Sequence, residues 1–151
     1  MELVNGIGSV GLTALRTRVY EKFHVLGYFF RQVIHPTATI AVDVSLEEGV
    51  QVMAGAVVES GVVIGTNTII NTASSINHEC QIGAHVHIAP GCTLSGNVLV
   101  GEGAHLGTGT IVIQGVKIGR GTIVGAGSLV LHDLPAHVLA YGHPARVIRA
   151  I

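Results

Sequence analysis

At 151 residues the chain allows one ordinary domain, yet 21 glycines, 48% hydrophobic residues, only 11% charged residues and no Trp depart from globular composition. A formal charge of −1 supplies no basic field for nucleic acid. No long apolar run of membrane-spanning length and no signal-peptide pattern occurs, so a cytoplasmic protein with no membrane partner is expected.

In chain order, Leu3-Val4 leads into a Gly6-Ile7-Gly8-Ser9 turn. Leu12, Leu15, Val19, Phe23 and Leu26 then recur at helical spacing, Gly27 suits a C-cap, and Tyr28 to Ile34 reads as a strand. This is one βαβ-like unit, too small to fold alone. Gly6, Gly8 and Gly11 match G-x-G-x-x-G, which allows a dinucleotide pocket or simply a tight turn. The turn is favoured, because no acidic residue ends the second strand and no further sheet follows.

His35-Pro36 marks a junction. From Ile34 to Val130 every sixth residue is Ile, Leu or Val without a miss. Four places after each anchor stands a small or β-branched residue, from Ala38 through Cys80 and Cys92 to Ser128. Three places after it stands Gly, Asn or Asp, except at Thr37, Ala73, Glu79 and His85, as a corner of positive φ requires. Each hexad is therefore a short strand plus a turn, and such units bury their apolar side only by winding into a stacked solenoid. If three hexads close one coil, residues three hexads apart stack at about 4.8 Å. His78 then lies between Ser60 and Gly96, Glu79 between Gly61 and Asn97, His85 between Asn67 and Gly103, and His87 on His105.

Three successive hexads place Ala73, Glu79 and His85 at the corner, where a side chain costs about 1 kcal/mol. The same segment holds His78, His85 and His87, so it is the candidate site. Cys80 and Cys92 occupy the inward small position and read as small hydrophobes. After Val130 the register ends and Asp133 to His137 breaks away, with Gly142 and Pro144 forming a fixed turn. Arg146 and Arg149 are either solvated charges or phosphate contacts.

Ile34-His35-Pro36, Ile76-Asn77-His78-Glu79-Cys80, Ser95-Gly96-Asn97-Val98 and Gly142-His143-Pro144-Ala145, set in unbroken hexads, resemble the hexapeptide-repeat acyltransferases. The likeness is to the group of sialic acid O-acetyltransferases and nucleotide-amino-sugar N-acetyltransferases. It implies a mainly β fold, a left-handed parallel β-helix, with homotrimeric assembly and acetyl-CoA as acyl donor in grooves between neighbouring prisms. It implies three segments: 1–34, a remnant of a nucleotide-sugar-binding domain; 35–131, the acyltransferase β-helix; and 132–151, folding back. Only the last βαβ portion of the usual nucleotide domain precedes His35, so weak binding of the acceptor is expected.

By the same resemblance His78 is the general base and Glu79 its carboxylate partner, with imidazole suited to the role by its near-neutral pKa. His87, His85 and Ser60 are assigned to the sugar or nucleotide-sugar acceptor, and Gly96, His105, Gly127 and Arg146 to acetyl-CoA. N-acetylation of a nucleotide-linked amino sugar is the expected reaction; O-acetylation of sialic acid or a related sugar is the alternative. The γ-type carbonic anhydrases share the architecture, but two coils beyond His78, His85 and His87 stand Gln114, Gly121 and Ile123, so no metal is expected. A non-catalytic solenoid would leave Glu79 and His85 at costly corners without a reason.

Overall fold

The computed structural model describes residues 1–11 and 13–151; Leu12, placed above on the helix, lies outside them. The chain begins with β1 (Glu2–Leu3), α1 (Ala14–Val25) and β2 (Phe29–Phe30), the two strands pairing in parallel. Two-residue strands then follow at intervals of six, from β3 (Val33–Ile34) to β19 (Leu129–Val130). The anchor of each hexad is the second residue of its strand, as the sequence period predicts.

Residues three hexads apart pair in parallel, Ser75 with Thr93 and His87 with His105, which sorts the strands onto three faces of a prism. One face, here the histidine face, carries Val33–Ile34, Gln51–Val52, Ile69–Ile70, His87–Ile88, His105–Leu106 and Ile123–Val124. The second runs from Thr39–Ile40 to Leu129–Val130 and the third from Ser45–Leu46 to Lys117–Ile118. From Val52 onward the anchors are buried, and they form one continuous core with the small residues between them.

Hydroxyls and thiols at the small position serve the stack. Thr68 Oγ1 donates to the Gly83 carbonyl (2.8 Å), Ser74 Oγ to Ala89 (2.9 Å) and Cys80 Sγ to Ser95 (3.1 Å), so each buried polar atom is satisfied by the following coil. The corners are left-handed at Asn67, Ala73, Glu79, His85 and Asn97 and at a run of glycines. Gly65, Gly83 and Gly101 lack a side chain for another reason: a Cβ on each would come within 2.5–2.8 Å of the next coil's backbone.

The N-terminal unit is a βαβ arrangement, and Gly27 takes φ +82 just beyond the helix. Its docking differs from the sequence expectation. Arg16 and Tyr20, rather than Leu15 and Leu26, are buried, while those two leucines are 55% and 62% exposed. The helix meets a polar corner of the solenoid, which selects its hydrogen-bonding side. Arg16 Nε donates to the Asn67 carbonyl (3.2 Å) and Nη1 to those of Asn5 (3.0 Å) and Ile7 (2.6 Å). Tyr20 packs on Phe30 and, edge-on, His85. The strand expected over Tyr28 to Ile34 is two strands, because Phe29–Phe30 pairs with β1 and Val33–Ile34 with the first coil.

The chain does not leave the solenoid after Val130. It completes one more side with a shortened coil, in which Ile118 bridges Leu134 rather than Ala136, and Ile123 pairs with Leu139 of β20 (Val138–Gly142) rather than with Tyr141. Then β21 (Ala145–Ala150) turns back antiparallel on β20.

Gly101→Ala should lower stability by about 1–3 kcal/mol through overpacking. Gly91→Ala, at an open left-handed corner, should cost only about 1 kcal/mol. Urea unfolding of both variants checks the order.

Candidate active site

The corner between the second and third faces carries a column of polar residues. His78 is more than half exposed, and its Nδ1 lies 3.2 Å from Glu79 Oε2. Glu79 takes φ +59, and the same oxygen accepts from Asn97 Nδ2 at 3.3 Å. With Nδ1–H directed at the carboxylate, the lone pair of Nε2 is free to take a proton. The ring lies over Gly96, where a Cβ would collide with Nε2 and Cε1. One coil below, Ser60 Oγ donates to Asp43 Oδ2 at 2.7 Å, and the Gly61 N–H donates to the same oxygen at 3.0 Å. The Ser60 proton is thereby engaged within the column. Asp43 escaped the sequence reading, although its place one coil below Gly61 in the same column marked it.

His87 and His105 lie on the histidine face, across the prism from that corner. Both are 7% exposed and stack edge to face at 5.0 Å. Burial and the neighbouring His105 push His87 down to about 4, and burial lowers His105 as well. His87 Nδ1 meets Ser9 Oγ at 2.7 Å and Nε2 meets Asn71 Nδ2 at 3.2 Å. These residues line a cleft of about 510 Å³ between the glycine turn and the coils, together with Gly107 and Ala126. Sequence reasoning missed both contacts: Ser9 lies outside the hexad period, and Asn71 sits beside, not in, the column of His87.

His85 occupies another corner, between the third and histidine faces, with Nδ1 3.0 Å from Asn67 Nδ2. It lines a separate cleft of about 410 Å³ with Arg18, Arg120 and His137. Burial lowers its pKa. Gly127 lies exposed at the remaining corner and Arg146 on β21 beside Tyr141. A single chain thus gathers Ser60, His78, Glu79 and Gly96 at one corner and His87 with His105 on the opposite side. Cys80 and Cys92 are free and buried, and burial raises both thiols, Cys92 to about 11, which disfavours the nucleophilic thiolate. Among the described residues no three His, Cys, Asp or Glu side chains converge as a metal site.

A three-faced solenoid of hexads with a histidine–carboxylate pair at one corner defines a hexapeptide-repeat protein. The family model described as bacterial transferase hexapeptide (six repeats) matches residues 97–132. The acetyltransferase domain of PglB from Neisseria gonorrhoeae, solved also in complex with acetyl coenzyme A, is 37% identical, with a TM-score of 0.89, 92% of this chain covered and 68% of that one. PerB from Caulobacter crescentus, solved in complex with CoA and GDP-perosamine, is 44% identical, with a TM-score of 0.90 and coverages of 93% and 68%. WeeI from Acinetobacter baumannii is 28% identical at a TM-score of 0.84, with coverages of 92% and 68%. The chain belongs to the hexapeptide-repeat acyltransferase family, and its fold is the left-handed parallel β-helix of that family.

Relief of the strained corner is measurable. Ala73→Gly and Glu79→Gly should each gain up to about 1 kcal/mol of stability by removing a left-handed side chain. Because His85, His87 and His105 are held neutral in the folded chain, stability should be full above pH 6.5 and fall as pH drops from 6.5 toward 4. Denaturant titrations at pH 7 and pH 5 measure this.

Proposed function

We propose that this chain transfers the acetyl group of acetyl-CoA to the amino group of a nucleotide-linked sugar, with His78 as general base. The observation that carries the reading is the His78 imidazole, turned by Glu79 and seated over Gly96 in a chain 44% identical to a structure solved with CoA and GDP-perosamine. His78 Nε2 takes a proton from the amino group as its nitrogen attacks the thioester carbonyl. The C–N bond forms, a tetrahedral oxyanion develops beside the Gly96 backbone, the C–S bond breaks, and the proton is passed to the departing thiolate. Glu79 orients the ring and stabilises its charged form.

His87 and His105 stand on the far side of the same prism, so a site that uses them with His78 is shared between two copies. A homotrimer, in which the corner of one copy meets the histidine face of the next, satisfies this requirement. Gly96, His105 and Gly127 would line the acetyl-CoA groove, with Arg146 close to its phosphates, while His87, Ser60 and His85 would lie toward the acceptor. In this reading residues 1–34 form the acceptor-domain portion, 35–131 the transferase solenoid and 132–151 its closing segment. A reaction drawing on acetyl-CoA belongs in the cytoplasm, and no helix among the described residues is long and apolar enough to cross a membrane.

The test is thiol release from acetyl-CoA against a panel of nucleotide amino sugars and sialic acids. Acetylation of an amino sugar is expected; acetylation of sialic acid hydroxyls alone would overturn the N-transfer assignment. His78→Ala should lower kcat by about 10²-fold or more with acetyl-CoA affinity retained, and Cys80→Ala should stay close to wild type. Light scattering should give a trimer, and mixing inactive His78→Ala chains with His87→Ala chains weakened in acceptor binding, under subunit exchange, should create sites with the wild-type acceptor KM.

A further inference from the structure

The hydrogen bonds around His87 determine which way a neighbouring proton points. Asn71 Oδ1 accepts from the Thr72 N–H at 2.7 Å and from Thr72 Oγ1 at 3.2 Å, which places the Asn71 amide nitrogen toward His87. An amide NH2 only donates, so His87 Nε2 must present its lone pair and Nδ1 must carry the hydrogen. Nδ1–H then donates to Ser9 Oγ at 2.7 Å. Having accepted, Ser9 keeps its own hydroxyl proton for a partner, and among the described residues it makes no other side-chain hydrogen bond. Ser9 lines the 510 Å³ cleft, and a Cβ on Gly6 or Gly8 would meet nothing within 4 Å, so a ligand can approach the turn closely. His105, whose Nδ1 is buried without a partner, packs edge to face against the His87 ring at 5.0 Å.

We propose that Ser9 is a substrate-contacting residue whose hydroxyl donates to an oxygen lone pair of the nucleotide-sugar acceptor, and that Asn71 is a positioning residue that holds His87 in the Nδ1–H tautomer. The inference rests on the acetyltransferase reading and deepens it. It gives His87 the role of aiming a donor; proton abstraction remains with His78. The recognised oxygen belongs either to the sugar or to the diphosphate.

Nitrogen NMR of histidine-labelled protein should show the Nδ1–H tautomer at His87, and Asn71→Asp should convert it to Nε2–H, because a carboxylate only accepts. In that variant His87 Nδ1 would accept from Ser9 and draw its proton away from the acceptor. Asn71→Asp and Ser9→Ala should therefore both raise the acceptor KM about tenfold with the KM for acetyl-CoA unchanged, while Ser9→Thr retains binding. Calorimetry separates the sources. If Ser9→Ala weakens a nucleoside diphosphate alone, the oxygen is the diphosphate's; if it weakens only the nucleotide sugar, the oxygen is the sugar's. An Nε2–H or charged His87 in the wild type, or an unchanged acceptor KM in Ser9→Ala beside an active wild type, overturns the inference and leaves the transferase reading intact. A wild type that acetylates no nucleotide amino sugar overturns both.

Discussion

The stacking of each coil on the one before it, three hexads to the turn, is the constraint from which the rest follows. The ladder bonds run between coils, as from the Ser75 N–H to the Cys92 carbonyl at 2.8 Å, so every residue inherits the residues directly above and below it. Inward positions must be branched aliphatics or small polar groups that reach the next carbonyl. Corners must turn left-handed. A ring placed at one corner needs an empty place on the following coil, which is why Gly96 lies against His78.

The same stacking divides the histidines into two electrostatic kinds. His78 projects from an exposed corner beside a carboxylate. His87 and His105 are buried and pack edge to face, so desolvation, joined at His87 by the neighbouring His105, keeps them neutral. The first is open to solvent, while His87 is held in direction by its contacts to Ser9 and Asn71. The Arg16 contacts to Asn5, Ile7 and Asn67 maintain this division by docking the turn that carries Ser9.

Glu79 and His85 show how a side chain is accommodated at a left-handed corner of such a fold. Both take the left-handed conformation that glycine fills at most other corners, and each has a side-chain partner that uses its direction: His78 and Asn97 for Glu79, Asn67 for His85. Ala73 takes the same conformation, and nothing in the structure explains its side chain there.

The sequence alone determined the solenoid and its hexad, because a strict period of six repeats the same burial demand from Ile34 to Val130; that three hexads close each coil is shown by the pairing of the strands. Given three hexads to the coil, the period sets His78 against Gly96 and His87 on His105. The tertiary structure decided what no period records. The buried side of α1 depends on the polar corner it meets, so Arg16 and Tyr20 are buried in place of Leu15 and Leu26. The last coil continues past Val130 because backbone pairing tolerates a shorter path, Ile118 reaching Leu134, once the hexads have ended. Ser9 and Asn71 join His87 through contacts between segments far apart in sequence or two residues out of column, and such contacts exist only once the chain has wound around itself.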